Sequence, residues 1–374
     1  MKTGIYIHIP FCIRKCQYCD FFSEENTNSS TISKYIDAIV RELEQYKALN
    51  RTISSIYFGG GTPSLISPKL LSHLLNYIQK EFTLTSDIEI SMEGNPGTIN
   101  KQRLHDYHKA GINRFSLGVQ SLNDKHLKIL TRIHTRKDAL KSIEYIDSIF
   151  TNYNIDLMHS LPNQCTNEAL QDLTEVIRLK PKHISWYQLT IEEDSIFGKN
   201  PPELPEEKTI EDNYIEGYKI LENNNYIHYE VSAFAKDGYM CQHNLNYWKF
   251  GDYISAGAGS HSKITIDGKI IRQSRIENIH EYISKVTYDD SIITTRIVPK
   301  DEILFEYMLN RLRLFSIISF SEYEERTGQN IEQLLNKIKK FENESLLVIN
   351  NEKEYFELTE RGKIVINYIL EDFL

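Results

Sequence analysis

Three cysteines fall within eight residues, Cys12, Cys16 and Cys19, in the stretch Ile9-Pro-Phe-Cys-Ile-Arg-Lys-Cys-Gln-Tyr-Cys-Asp-Phe21. The spacing C-x3-C-x2-C is one thiolate short of a closed four-ligand metal site. An iron-sulfur cube held by three thiolates keeps one iron open to an exogenous ligand. The rival chemistries are weaker. A c-type haem attachment needs His directly after the second Cys of a C-x2-C pair, and Asp20 stands there. A structural zinc site would need a fourth ligand, for which the neighbouring candidate is His8 on the strand-like run Gly4-Ile-Tyr-Ile-His-Ile9. A disulfide framework does not suit an odd cluster in a 374-residue chain with five cysteines. Cys165 and Cys241 read as solitary, small and soft residues without assigned chemistry.

Other groups able to bind a small ligand lie at intervals downstream. Gly59-Gly60-Gly61-Thr62-Pro63 lets backbone approach a ligand closely and bares N–H groups toward an anion. It lacks the Gly-Lys-Ser/Thr ending of a phosphate-binding P-loop, and by itself it could be no more than a tight strand-to-helix turn. Glu93-Gly-Asn-Pro96 offers a carboxylate for hydroxyls or an amine. Ser116-Leu-Gly-Val-Gln-Ser121 and Arg132 complete the set. A lone Gln or Arg is more often a solvated surface group, but motifs that close successive strands share one rim.

The elements that must hold these groups alternate. Strand-like runs cover 4–10, 54–58, 87–93, 114–120, 153–161 and 183–189, and between them 32–46, 68–82, 101–110, 136–150 and 167–179 carry apolar residues at three- and four-residue intervals. Six strand-helix units predict an α/β fold, a partial (β/α)6 barrel with its functional groups at the carboxyl ends of the strands. The barrel is expected over 1–225 and a covering segment over 226–295. A small α+β unit follows over 296–374, whose helix-helix-hairpin-helix order is winged-helix-like. The net charge of −9 and the mixed character of helix 331–341 argue against a nucleic-acid reader. No membrane-length apolar run and no leader-like start are visible, so a cytoplasmic protein is expected.

Taken in order, the C-x3-C-x2-C loop, Gly-Gly-Gly-Thr-Pro, Glu-x-Asn-Pro, Ser-Leu-Gly-Val-Gln-Ser and Asp156-Leu-Met-His-Ser-Leu-Pro162 make the chain resemble the radical S-adenosylmethionine (SAM) proteins, in the group that contains oxygen-independent coproporphyrinogen III dehydrogenase and the HemW haem chaperones. The resemblance implies that Cys12, Cys16 and Cys19 bind a [4Fe-4S] cluster whose open iron is chelated by SAM. It implies that Tyr6 and Tyr18 flank that site, that Gly60, Gly61 and Thr62 meet the methionine end, that Glu93 meets the ribose, and that Gln120, Arg132 and Asp156 hold the rest of the cofactor. In the family a reduced cluster splits SAM to a 5′-deoxyadenosyl radical. Ser160 stands where the family usually has Gly, and Cys165 where Thr is common.

Two markers separate the branches. The dehydrogenases carry a further Cys two residues beyond the third, and Phe21 occupies that position here. The chaperone branch carries His-Asn-x-x-Tyr-Trp, present as His243-Asn-Leu-Asn-Tyr-Trp248 and linked within the family to haem. His243 is thus the expected axial ligand, with Tyr247 and Trp248 against the porphyrin and His261 a second, weaker ligand candidate. The resemblance further implies haem-requiring acceptor proteins, membrane proteins among them, and an electron donor as partners. The alternative function it leaves open is oxidative decarboxylation of coproporphyrinogen III.

Overall fold

The computed structural model describes residues 2–25, 28–287 and 289–374. Its core is a twelve-stranded sheet. Six strands appear where the alternation predicts them: β1 (Lys2–Ile9), β2 (Thr52–Gly60), β3 (Thr83–Gly94), β4 (Arg114–Gln120), β5 (Tyr153–His159) and β6 (His183–Gln188), each parallel to the next. Period two divides their side chains between two environments. On β1, Ile5, Ile7 and Ile9 are fully buried among the outer helices, whereas the alternate residues Tyr6 and His8 pack against polar and aromatic groups from other strands. The interior of the partial barrel is therefore polar, and the oil is between sheet and helices.

Local signals start the helices. Asn28, Ser67, Asn100 and Thr135 each accept a backbone N–H of the first turn through the side chain, opening helices Ser29–Glu44, Pro68–Glu81, Lys101–Ala110 and Arg136–Asp147. Gly111, at φ 119°, ends the third of these.

The sheet continues past the six units. β7 (Ile227–Glu230) and β8 (Ala233–Ala235) join the β6 edge antiparallel, while β9 (Asp252–Ala256) lies parallel to β1 on its far side and leads into β10 (His261–Ile266), β11 (Lys269–Arg275) and β12 (Ile293–Ile297), which extend it antiparallel. A five-residue strand with no attached crossover helix leaves no alternation to read, which is why β9 is invisible in the sequence pattern. The new edge is pinned by a fully buried ion pair, Arg275 Nε to Glu42 Oε1 at 2.7 Å, in which Glu42 also accepts the Gly257 N–H and the Tyr282 hydroxyl.

The C-terminal region forms its own core of Tyr307, Met308, Tyr323, Leu334, Ile338, Phe341 and Phe356 under helices Lys300–Arg311, Phe320–Thr327 and Ile331–Asn343. The expected hairpin, Leu347–Asn350 with Tyr355–Leu358, is present and gains a third strand, Ile318–Ser319. Phe250 and Ile270 from the preceding segment share this core. No helix among the described residues is long and apolar enough to cross a membrane.

Candidate functional site

Cys12 ends a two-residue strand, Phe11–Cys12, that pairs with Glu24–Glu25. Cys16 and Cys19 follow on a turn closed by the Cys19 N–H on the Cys16 carbonyl at 3.1 Å. The Lys15 N–H, donating to Glu25 Oε1 at 2.6 Å, ties the loop back to that pair. The three cysteines line a cavity of about 340 Å³ at the carboxyl end of the barrel, together with Tyr18, Gly60, Gly61, Thr62, Glu93, Gln120, Arg132 and Asp156. Burial pushes the Cys12 thiol up and the Cys19 thiol to about 11, so a metal held here would have to displace those protons as it binds.

Each wall group is held. The Thr62 hydroxyl lies 3.5 Å from Cys12 Sγ. Arg132 reaches Cys16 Sγ at 3.6 Å and the Tyr18 hydroxyl at 3.4 Å, and donates to the Gly118 carbonyl at 2.5 Å. Gln120, the last residue of β4, sits in the left-handed region at φ 69° and accepts the Tyr187 hydroxyl at 2.7 Å. Glu93 accepts the Tyr57 hydroxyl at 2.8 Å, and burial, reinforced by Asp156, raises its carboxyl to about 7. Asp156, mid-strand on β5, accepts from Ser116 at 3.1 Å and Asn154 at 2.7 Å. Two carboxylates and a guanidinium under a thiolate rim can orient a molecule carrying hydroxyls, an ammonium and a carboxylate.

The donor set fits a cluster with SAM, and the glycines are the reason. Gly60 has φ 108°, and a Cβ there would meet the His8 ring at 2.6 Å. A Cβ on Gly61 would lie 2.8 Å from the Phe11 carbonyl oxygen and 3.0 Å from Cys12 Sγ. The run is thus more than a turn: side chains would occupy the space beside the first cysteine. His8 does not complete a zinc site, because its Nε2 is on the Phe22 carbonyl at 2.9 Å and its Nδ1 on the Tyr6 hydroxyl at 3.1 Å. Tyr6 is not on the cavity wall; it lies beneath, stacked with Tyr57 at 6.3 Å.

The two departures from the family pattern have local explanations. Ser160 adopts φ 57°, a conformation easiest for Gly, and its hydroxyl is engaged by His159 at 3.0 Å and Asn213 at 3.1 Å. Cys165 is the N-cap of helix Thr166–Arg178 in a capping box, its N–H donating to Glu168 Oε2 at 3.0 Å, and its sulfur is a weaker cap acceptor than the hydroxyl of a Thr.

The haem candidates are divided by the fold. Helix Gln242–Trp248 closes the opposite, amino end of the barrel, its first N–H groups on Glu89 at 3.2 Å. His243 points inward: its Nδ1 meets Ser55 Oγ at 3.0 Å, its ring stacks on Tyr57 at 5.1 Å, and burial lowers its pKa to about 3. Gly4 makes room for that ring, since a Cβ there would come within 3.2 Å of it. Tyr247 and Trp248 instead line a second cavity, of about 680 Å³, between this helix, strands β10 and β11 and the helix Lys300–Arg311, and His261 lies on the same wall.

Sequence reasoning missed several residues. Tyr187 and Ser185 line the first cavity and were accessible as alternate residues of the sixth strand. Arg114 and Glu89, both buried, form a charged pair 3.9 Å apart above the plugging helix. A charge opening an otherwise apolar strand run was the available signal.

Cysteine loop, glycine cradle and polar barrel rim define a radical SAM protein, and the comparisons agree: residues 6–173 match the family model of the radical SAM superfamily and residues 298–365 that of the HemN C-terminal domain. The chain is 42% identical to the heme chaperone HemW of Buchnera aphidicola subsp. Acyrthosiphon pisum and 38% identical to that of Escherichia coli K12, in each case over 99% of this chain and 98% of the relative. In fold it is similar to Escherichia coli coproporphyrinogen III oxidase (HemN), with a TM-score of 0.83 at 20% identity over 100% of this chain and 89% of that one. The chain belongs to the HemW family.

Proposed function

We propose that this protein is a haem chaperone: it binds haem and passes it to haem-requiring acceptor proteins, with a [4Fe-4S] cluster and SAM at the barrel mouth. The observation that carries this reading is the full-length likeness to proteins named heme chaperone HemW. Phe21, 60% exposed beside the cluster loop where the dehydrogenase branch has a fourth Cys, supports it.

When bound, the cluster with SAM supplies one-electron reducing chemistry, which an external electron donor must feed. Cys12, Cys16 and Cys19 hold the cluster. Gly60, Gly61 and Thr62 leave room for the methionine end of SAM, and Arg132 and Gln120 orient it. Glu93 and Asp156 accept from its hydroxyls and amine. Tyr18 shields the sulfurs from water. Tyr247 and Trp248, packed edge to face at 79°, give the porphyrin apolar contact in the larger cavity.

The experiment is anaerobic reconstitution followed, on one sample, by haemin titration, a SAM-cleavage assay and incubation with coproporphyrinogen III and reductant. The chaperone reading expects a saturable Soret shift and no protoporphyrinogen. No saturable haemin binding, or turnover of coproporphyrinogen, overturns it.

A further inference from the structure

The second cavity carries more than aromatic walls. Its lining combines Tyr247, Trp248 and Tyr253 with three arginines, Arg272, Arg296 and Arg313, against two glutamates, Glu302 and Glu306, a surplus of one positive charge. Arg272 and Arg296 are committed: Arg272 to Glu306 at 2.8 Å and to the Tyr253 hydroxyl at 3.1 Å, Arg296 to Glu302 at 2.6 Å and to Glu306 at 3.1 Å. Arg313 is less so. Its guanidinium lies 4.6 Å over the Trp248 ring, its Nη2 is 3.7 Å from Glu230, and its buried Nε has no partner.

One imidazole faces this space. His261 opens β10 on the cavity wall and is exposed. The ring of His243 is held by Ser55, whereas the His261 ring makes no side-chain hydrogen bond among the described residues and is the one imidazole on this cavity's wall. His243 would have to leave Ser55 and Tyr57 and turn out of the barrel before it could meet a ligand here.

Aromatic rings set edge to face, an imidazole free of side-chain hydrogen bonds and a guanidinium held only by a long ion pair match an iron porphyrin bearing carboxylates. We propose that His261, and not His243, is the axial ligand of haem held in this cavity, with Tyr247 and Trp248 against the macrocycle and Arg313 against a propionate. The proposal rests on the haem-binding reading above and says where, and by which atom, the iron is taken.

Haemin and metal-free protoporphyrin IX, titrated separately into the full chain, test it. His261→Ala is expected to lose the Soret shift and bind haemin at least tenfold more weakly, a loss of about 1.4 kcal/mol or more. It should still bind metal-free protoporphyrin as wild type does, and added imidazole should restore the Soret band. Trp248→Ala and Arg313→Ala should weaken both porphyrins. Cluster content and far-UV circular dichroism identify any variant that fails to fold, and His261, being exposed, can be truncated without opening a core. If wild type binds haemin and His261→Ala keeps its spectrum and affinity, the ligand assignment is overturned and the chaperone reading stands. If wild type shows no saturable haemin binding, the chaperone reading itself falls.

Discussion

Replacing Gly61 by Ala adds one methyl group and should dismantle the cluster site. The new Cβ would lie 2.8 Å from the Phe11 carbonyl oxygen, 3.0 Å from the Ile9 carbonyl oxygen and 3.0 Å from Cys12 Sγ. Carbon and oxygen atoms that touch without strain are about 3.3–3.6 Å apart, so relief requires a shift of roughly 0.5 Å. Neither carbonyl can swing aside, because Ile9 ends β1 and Phe11 opens the short strand that holds Cys12, and the Ile9 carbonyl also accepts the Gly61 N–H at 2.9 Å. The strain, about 1–3 kcal/mol, is therefore relieved by moving the cysteine. Metal sites tolerate ligand errors of only about 0.2 Å, so one of three thiolates leaves its place. Iron and sulfide content after anaerobic reconstitution should fall below half of wild type, and SAM affinity should drop at least about tenfold in dialysis of the cluster-bearing fraction. Gly59→Ala is the control: the nearest neighbours of its Cβ are the Tyr6 and Tyr57 side chains, at 3.0 and 3.1 Å, with no cluster cysteine among them, and it should keep the cluster. Full iron content and unaltered SAM affinity in Gly61→Ala would refute the argument that this glycine is a cradle for the first cysteine.

Arg275→Ala strands Glu42 as a buried, unpaired carboxylate and should cost about 3–5 kcal/mol in urea unfolding, with Glu42→Gln restoring part of the loss; a cost under about 1 kcal/mol would contradict the packing described. Asp172, buried under the Ser121 hydroxyl at 2.5 Å, is raised by burial to about 6. The folded chain thus keeps a proton that the unfolded chain releases near 3.8, so this group's contribution falls as pH rises from about 4 to about 6 and is constant above, a total of about 3 kcal/mol at most. Asp172→Asn should remove that slope, seen as a variant-minus-wild-type stability difference that grows across the window and then levels; a difference independent of pH would exclude the assignment. Cys165→Thr, exchanging a weakly accepting sulfur for a hydroxyl in the capping box with Glu168, should stabilise by about 0.5–1 kcal/mol in the same assay, and a destabilised variant would argue against the cap geometry.

Much of this protein was legible in its residue order. The three cysteines fall within eight residues, so their loop is a local event, and each strand-to-helix unit announces itself through period, cap and turn within about thirty residues. The chemistry at the barrel rim followed because parallel strands with crossover helices all present their carboxyl ends on one side. Tertiary structure alone decided what depends on partners distant in sequence. Glu42 meets Arg275 across 233 residues, and β9 is a strand only because β1 offers it an edge. The direction of His243 belongs to the same class. An imidazole on a short helix can face either way, and Ser55 and Tyr57, 188 and 186 positions earlier, draw it into the barrel, leaving Tyr247, Trp248 and His261 to share the outer cavity. Spacing fixes which residues are neighbours along the chain; only the packed sheet fixes which face of the helix it covers.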